Sequence, residues 1–296
     1  MKDKNTGMYQ ISNDQLTISI SATGAELQGI YHRENKQEYL WSGDPAFWGK
    51  KSPVLFPIVG GLKDNSYVYE GNLYEMGRHG FAREKVFTVT EQTPHQIHFT
   101  LLADEETRKI YPFDFCFSVI YRLQDNKLTV TYQVDNTGNK TLWFSVGAHP
   151  AFAVPLVKGT EFPDHYLEFS EKETTGIWPL THEGLIKKTP EPFLENTDHL
   201  PLMKELFYKD ALVFKSLRSN SIAIRSLVNN HGIKLQFDGF PYMGIWSARN
   251  ADFVCIEPWC GIADTEETTG DITQKEGINA LHPSGTFVRS WQVKIF

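Results

Sequence analysis

Apolar residues recur at every second position over long stretches of this chain, a side-chain period that belongs to strands and not to helices. Leu16, Ile18 and Ile20 alternate with Thr17 and Ser19, while Leu128, Val130, Tyr132 and Val134 alternate with Thr129, Thr131 and Gln133. Each such segment buries one face and wets the other, so each needs an opposing apolar layer. Runs at 117–123, 142–146, 212–214, 222–225 and 233–237 add further short strands bounded by turn-forming residues. Many short strands separated by turns predict an all-β sandwich or barrel. Helical signals are few. Asp44-Pro45 opens a capped turn, and 201–207 has room for about two helical turns. The stretch 174–200, with Pro179, Pro190 and Pro192, lacks a period and is expected to run as a long excursion over the surface, edging a site. No internal repeat or linker-like run divides the chain, so one domain is expected over residues 1–296.

The charge balance narrows the partners. Twenty-nine Lys and Arg against 36 Asp and Glu give a net charge of −7, with no basic run, which argues against nucleic acid and anionic membranes. No segment approaches the roughly 20 consecutive apolar residues of a membrane helix, and the charged N-terminal stretch lacks the apolar core of a signal peptide. Only Cys116, Cys255 and Cys260 are present, too few for a disulfide scaffold and without paired zinc-site spacing. A cytoplasmic location is expected. The oligomeric state, monomer or homodimer, is left open.

Chemistry concentrates in three short blocks: 77–83 (GRHGFAR), 147–152 (GAHPAF) and 256–264 (IEPWCGIAD). They place His79, His149 and Glu257 on or beside Gly- and Pro-marked turns flanked by aromatics. His and carboxylates are the groups that exchange protons near neutral pH, so these blocks point to acid–base chemistry on a neutral, hydroxylated molecule.

In order and spacing the three blocks, with the 55–60 turn (LFPIVG) and the closing 291–296 strand, resemble the aldose 1-epimerase (galactose mutarotase) family, in its bacterial branch with HGFAR and EPW blocks. The resemblance implies a large antiparallel two-sheet supersandwich with a cleft across one sheet. It also implies interconversion of aldose anomers, in which one group takes the proton of the anomeric hydroxyl while another protonates the ring oxygen. Such a reaction requires no metal and no organic cofactor.

By this resemblance His149 is the general acid and Glu257 the base. Pro150 restricts residue 149 to extended geometry and so directs its ring. A carboxylate after the apolar run 253–256 is costly unless paired or used, and an ion pair with Arg249 is the alternative to a chemical role. His79 matches a sugar-contacting histidine. Arg83 matches an arginine that holds phosphate in the hexose-6-phosphate mutarotase branch, or else is a surface group. Asp210 matches a sugar-binding aspartate, with Asp238 its rival, although the Asp238-Gly239 pair reads first as a turn. Trp259 offers a flat face to a sugar or serves the core; for Trp246 the alternation favours core. One departure from the family pattern stands at Gly61, where an arginine is common. Arg78, Arg83 and Lys63 are then the nearby cations, and a neutral hexose is the first expectation, with a hexose 6-phosphate the alternative. A non-catalytic sugar-binding protein on the same scaffold is the reading from another class. The 264–267 acidic run is expected to be a solvated loop.

Overall fold

The computed structural model describes residues 7–296; the first six residues of the N-terminal stretch considered for a leader lie outside the described residues. The dominant layer is a nine-stranded sheet with the order Glu191–Pro201, His165–Ile177, Ser221–Ser226, Ile233–Gln236, Thr286–Ile295, Lys127–Asn136, Phe115–Gln124, Gln96–Leu102 and Thr88–Gln92. Every pairing in it is antiparallel. Its centre follows directly from the period-two pattern: Leu128, Val130, Tyr132 and Val134 are all buried, as are Phe117, Val119 and Tyr121 on the neighbouring strand. Each fully buried aliphatic or aromatic side chain contributes roughly 1.5–3 kcal/mol. Within this layer the buried Trp291 Nε1 donates to the Tyr132 hydroxyl at 3.1 Å.

A four-stranded sheet at the N-terminal end and a five-stranded sheet supply the opposing apolar faces. Leu16, Ile18 and Ile20 from the first and Ile245, Val254 and Ile256 from the second join the same core cluster as the large sheet. This is the all-β, antiparallel supersandwich that the sequence led us to expect. No helix among the described residues is long and apolar enough to cross a membrane.

Several local expectations are corrected. The stretch 174–200 is not an irregular excursion, because His165–Ile177 and Glu191–Pro201 pair as the edge hairpin of the large sheet. Pro179 and Pro190 lie in the connection between the two strands, and Pro192 is tolerated because an edge strand has one unpaired side, where a missing N–H costs no ladder bond. The 201–207 segment forms a single 3₁₀ turn, Lys204–Phe207, since Pro201 still belongs to the edge strand. The run 142–146 changes sheets at Ser145: Leu142–Phe144 pairs with Asn279–Leu281, and Val146–Gly147 pairs with Phe253–Cys260. One helix, Glu105–Ile110, was not anticipated. Asp104 caps it reciprocally with Thr107. Asp264 is no solvated acid either; it is buried and ion-paired with buried Lys275 at 2.8 Å.

Candidate active site

The five-stranded sheet forms the floor of a cavity of about 510 Å³, and its register explains the floor's chemistry. Phe253–Cys260 is buried along its whole length, and its residues 255, 257 and 259 share one face by the period of two. The register that pairs Gly147 with Trp259 and Ala151 with Cys255 brings residue 149 opposite residue 257. Pro150 interrupts the ladder between those pairs. His149 Nε2 therefore stands 3.3 Å from Glu257 Oε2, with both side chains buried. On the other side of Glu257 the cross-strand partner is Gly244. A Cβ at 244 would lie 2.4 Å from the Trp259 ring, so the absence of a side chain there is what lets the indole lie across the floor.

The other blocks are stitched to this floor by backbone bonds. Leu55 and Gly147 exchange two hydrogen bonds at 3.0 Å, and Phe81 and Ala82 donate to the Phe56 carbonyl. His79 N–H donates to Gly60 O at 2.9 Å, and Gly60 N–H donates back to His79 Nδ1 at 3.1 Å. His79 adopts φ +69°, a left-handed conformation that non-glycine residues rarely hold, and the reciprocal pair stabilises it there. Because Nδ1 accepts a hydrogen bond, the neutral His79 ring carries its proton on Nε2. Gly60 has φ +73°, and a Cβ on it would meet Ala263 at 2.4 Å. Asp264 completes the brace: its N–H donates to Gly61 O, its Oδ2 accepts from Lys63 N–H, and its Oδ1 takes Lys275 Nζ.

His149 is boxed by aromatics. Trp48 stacks on it with centroids 4.9 Å apart, and Trp246 and His79 meet it edge-on at 5.6 and 5.7 Å. Burial penalises charge on His149, His79 and Glu257 alike. It drives His149 down to about 3 and His79 well below the usual imidazole range, and it lifts Glu257 well above the usual carboxylate range. Arg78 opposes the effect on Glu257 by favouring the carboxylate, whereas Asp210 adds to it. Burial thus works against both the ionised Glu257 and the protonated His149 expected from sequence, favouring the neutral form of each partner.

Of the residues singled out in the sequence, His149, Glu257, His79, Arg78, Arg83, Asp210 and Trp259 all line this cavity. Lys63 does not. Its Nζ donates to Glu266 O at 2.9 Å, outside the lining. Asp238 is exposed and held by Asn220 and Gln236 away from the cavity, so of the two aspartates only Asp210 reaches it. Arg249 stacks over Tyr208 at 4.5 Å and is not the partner of Glu257. Trp246 packs against the small apolar cluster around Phe253 and Cys255, in keeping with its core reading, and also lines the cavity because it faces the same way as Cys255 and Glu257. Trp48, Tyr208 and Lys209 were missed. Trp48 sits on the Asp44-Pro45 turn, which fixes it, yet a turn motif alone does not say where its last residue points. The interstrand segment after Ile177 contributes Leu180 and Ile186 to the rim, as expected of a stretch that edges the site.

Comparison with known proteins gives concordant results. A family model described as aldose 1-epimerase matches residues 7–277. Protein LacX of Lactococcus lactis is 33% identical over 297 residues, covering 97% of this chain and 98% of the relative. A galactose mutarotase related enzyme from Lactobacillus acidophilus superposes with a TM-score of 0.93 at 37% identity, covering 98% of this chain and 97% of the other. A galactose mutarotase-like protein from Lactobacillus casei superposes at 0.92 with 30% identity, covering 98% of this chain and all of the other.

Proposed function

Because the chain belongs to the aldose 1-epimerase family, we propose that it interconverts the α and β anomers of a hexose by acid–base opening of the ring, with His149 and Glu257 exchanging the protons. The observation that carries this reading is the buried 3.3 Å contact between His149 Nε2 and Glu257 Oε2 on a cavity floor. Transfer of a proton from Glu257 to His149 across that contact produces the carboxylate, which Arg78 favours, and the imidazolium, which Arg78 and Arg83 oppose. Glu257 then takes the proton of the anomeric hydroxyl while His149 gives one to the ring oxygen, and the C1–O5 bond breaks. One proton enters the pair and one leaves it, so no outside donor is needed. After rotation about C1–C2 the ring recloses with the roles reversed.

The remaining lining residues have roles in binding. Neutral His79 offers its Nε2–H as a donor to a sugar oxygen, Asp210 accepts from hydroxyls, and Trp259 and Trp246 pack against C–H faces. One domain over residues 1–296 is the organisation this reading assumes, supported by a core cluster extending from Ile11 to Ile295. Three free cysteines support a cytoplasmic placement.

Absence of an arginine at 61 supports a neutral hexose as substrate. A second reading, a phosphorylated aldose, is favoured by a specific observation: Arg78, Arg83 and Lys209 all line the cavity, against the two carboxyl groups of Asp210 and Glu257. Neither Arg78 nor Lys209 has an ion-pair partner among the described residues. Polarimetry of freshly dissolved α-D-glucose and α-D-galactose, with and without the protein, tests the activity itself. No acceleration of either sugar, nor of glucose 6-phosphate followed by NMR, would overturn the enzymatic reading in favour of a sugar-binding protein.

A further inference from the structure

Cys255 lies directly beneath the proposed proton-exchanging pair, and nothing in the anomer chemistry uses it. It shares a strand face with Glu257, pairs in register with Ala151 and Trp246, and is fully buried. One ligand atom each from His149, Cys255 and Glu257 lie within 4.8 Å of one another. Ligands on a tetrahedral ion with bonds of roughly 2.0–2.3 Å sit about 3.3–3.8 Å apart, and the His149–Glu257 contact already has that separation. His149 retains a partial opening to the cavity, and its Nδ1 has no hydrogen-bond partner. The ring is therefore not committed elsewhere.

We propose that His149, Cys255 and Glu257 form a binding site for a soft divalent cation such as zinc or cadmium, whose occupation shuts off proton exchange. Thiolate and imidazole select such ions over magnesium or calcium. The ion takes Cys255 as thiolate and Glu257 as carboxylate, and the protons displaced from the site pass to the buffer. The two anions formed balance the ion's charge, so the filled site is electrically neutral despite its burial and the nearby Arg78. Three protein ligands leave a fourth position facing the cavity for water or a sugar hydroxyl. The predicted loss of activity rests on the acid–base reading above, whereas the binding itself does not.

The test is titration of the full-length protein with cadmium, following the ultraviolet thiolate-to-cadmium charge-transfer band together with mutarotation of α-D-glucose. The band is expected to saturate at one-to-one stoichiometry, mutarotation to fall in step with it, and EDTA to reverse both. Cys255→Ser and Cys255→Ala should keep the metal-free rate and lose the band, and Cys116→Ser should keep both. Absence of the band, its survival in both Cys255 variants, or its loss in Cys116→Ser overturns the site. A Cys255-dependent band with undiminished mutarotation upholds the site and instead removes His149 and Glu257 from the chemistry.

Discussion

Replacing Glu257 by Gln separates the chemical role of this residue from its structural one. Burial raises the Glu257 carboxyl well above the usual carboxylate range, which favours its neutral form, and Gln has the same shape and no charge. It is opposite Gly244 on one side and His149 on the other, so the substitution leaves no cavity and creates no buried ion. Stability should therefore change by no more than about 1 kcal/mol, a melting shift of about 3 °C or less. The amide cannot take up or release the proton, so the rate should fall by a factor on the order of 10²–10⁴, about 2.7–5.5 kcal/mol of barrier. Mutarotation measured by polarimetry, with the uncatalysed rate subtracted, reads the second number, and thermal denaturation reads the first. A Gln variant within about ten-fold of the wild-type rate would refute the proton-exchange role. A variant inactive only because it had unfolded would refute the claim that a neutral amide fits the carboxyl's place.

The same electrostatics set the pH profile of kcat/KM. Activity needs one proton on the His149–Glu257 pair, so it should be lost on the acid side as His149 takes a second proton near about 3, and on the alkaline side only above the raised Glu257 value. A loss of activity centred near the ordinary histidine pKa of about 6.5 would contradict this assignment. For substrate class, each charge-assisted hydrogen bond to a phosphate is worth roughly 1.5–3 kcal/mol, so Arg83→Ala should cut the ratio of kcat/KM for glucose 6-phosphate over glucose by about ten-fold or more if the phosphorylated aldose is the substrate. An unchanged ratio leaves the neutral hexose. Lys275→Met strands the Asp264 carboxylate that anchors the 60–63 turn and should cost about 3–5 kcal/mol in denaturant titrations, part of it regained on adding Asp264→Asn. Equal stability of Lys275→Met and wild type would show the pair to be idle. Gly244→Ala drives a methyl into the Trp259 ring and should cost about 1–3 kcal/mol while raising KM; wild-type values of both would refute the packing argument.

What the sequence determined by itself was whatever depends on local period and local turn chemistry. Alternation at 16–20 and 128–134 specifies strands because a side chain in a strand has only two directions to point, and burial selects between them. The blocks around His79, His149 and Glu257 were legible because their Gly and Pro residues punctuate turns whatever surrounds them. Distance along the chain carries no record of register. That His149 faces Glu257 was decided by the pairing of residues 146–153 with 253–260, an alignment fixed only when the apolar faces of both segments are buried together. The edge hairpin of 165–177 and 191–201 escaped notice because a strand at a sheet's margin tolerates prolines and exposed polar residues. Lys63 and Arg78 are equally plausible cations in sequence, yet the Asp264 brace turns one away from the cavity while the 77–83 loop delivers the other to it. The upward shift of the Glu257 carboxyl also belongs to the tertiary structure, since desolvation exists only once the neighbouring strands and Trp48 have excluded water.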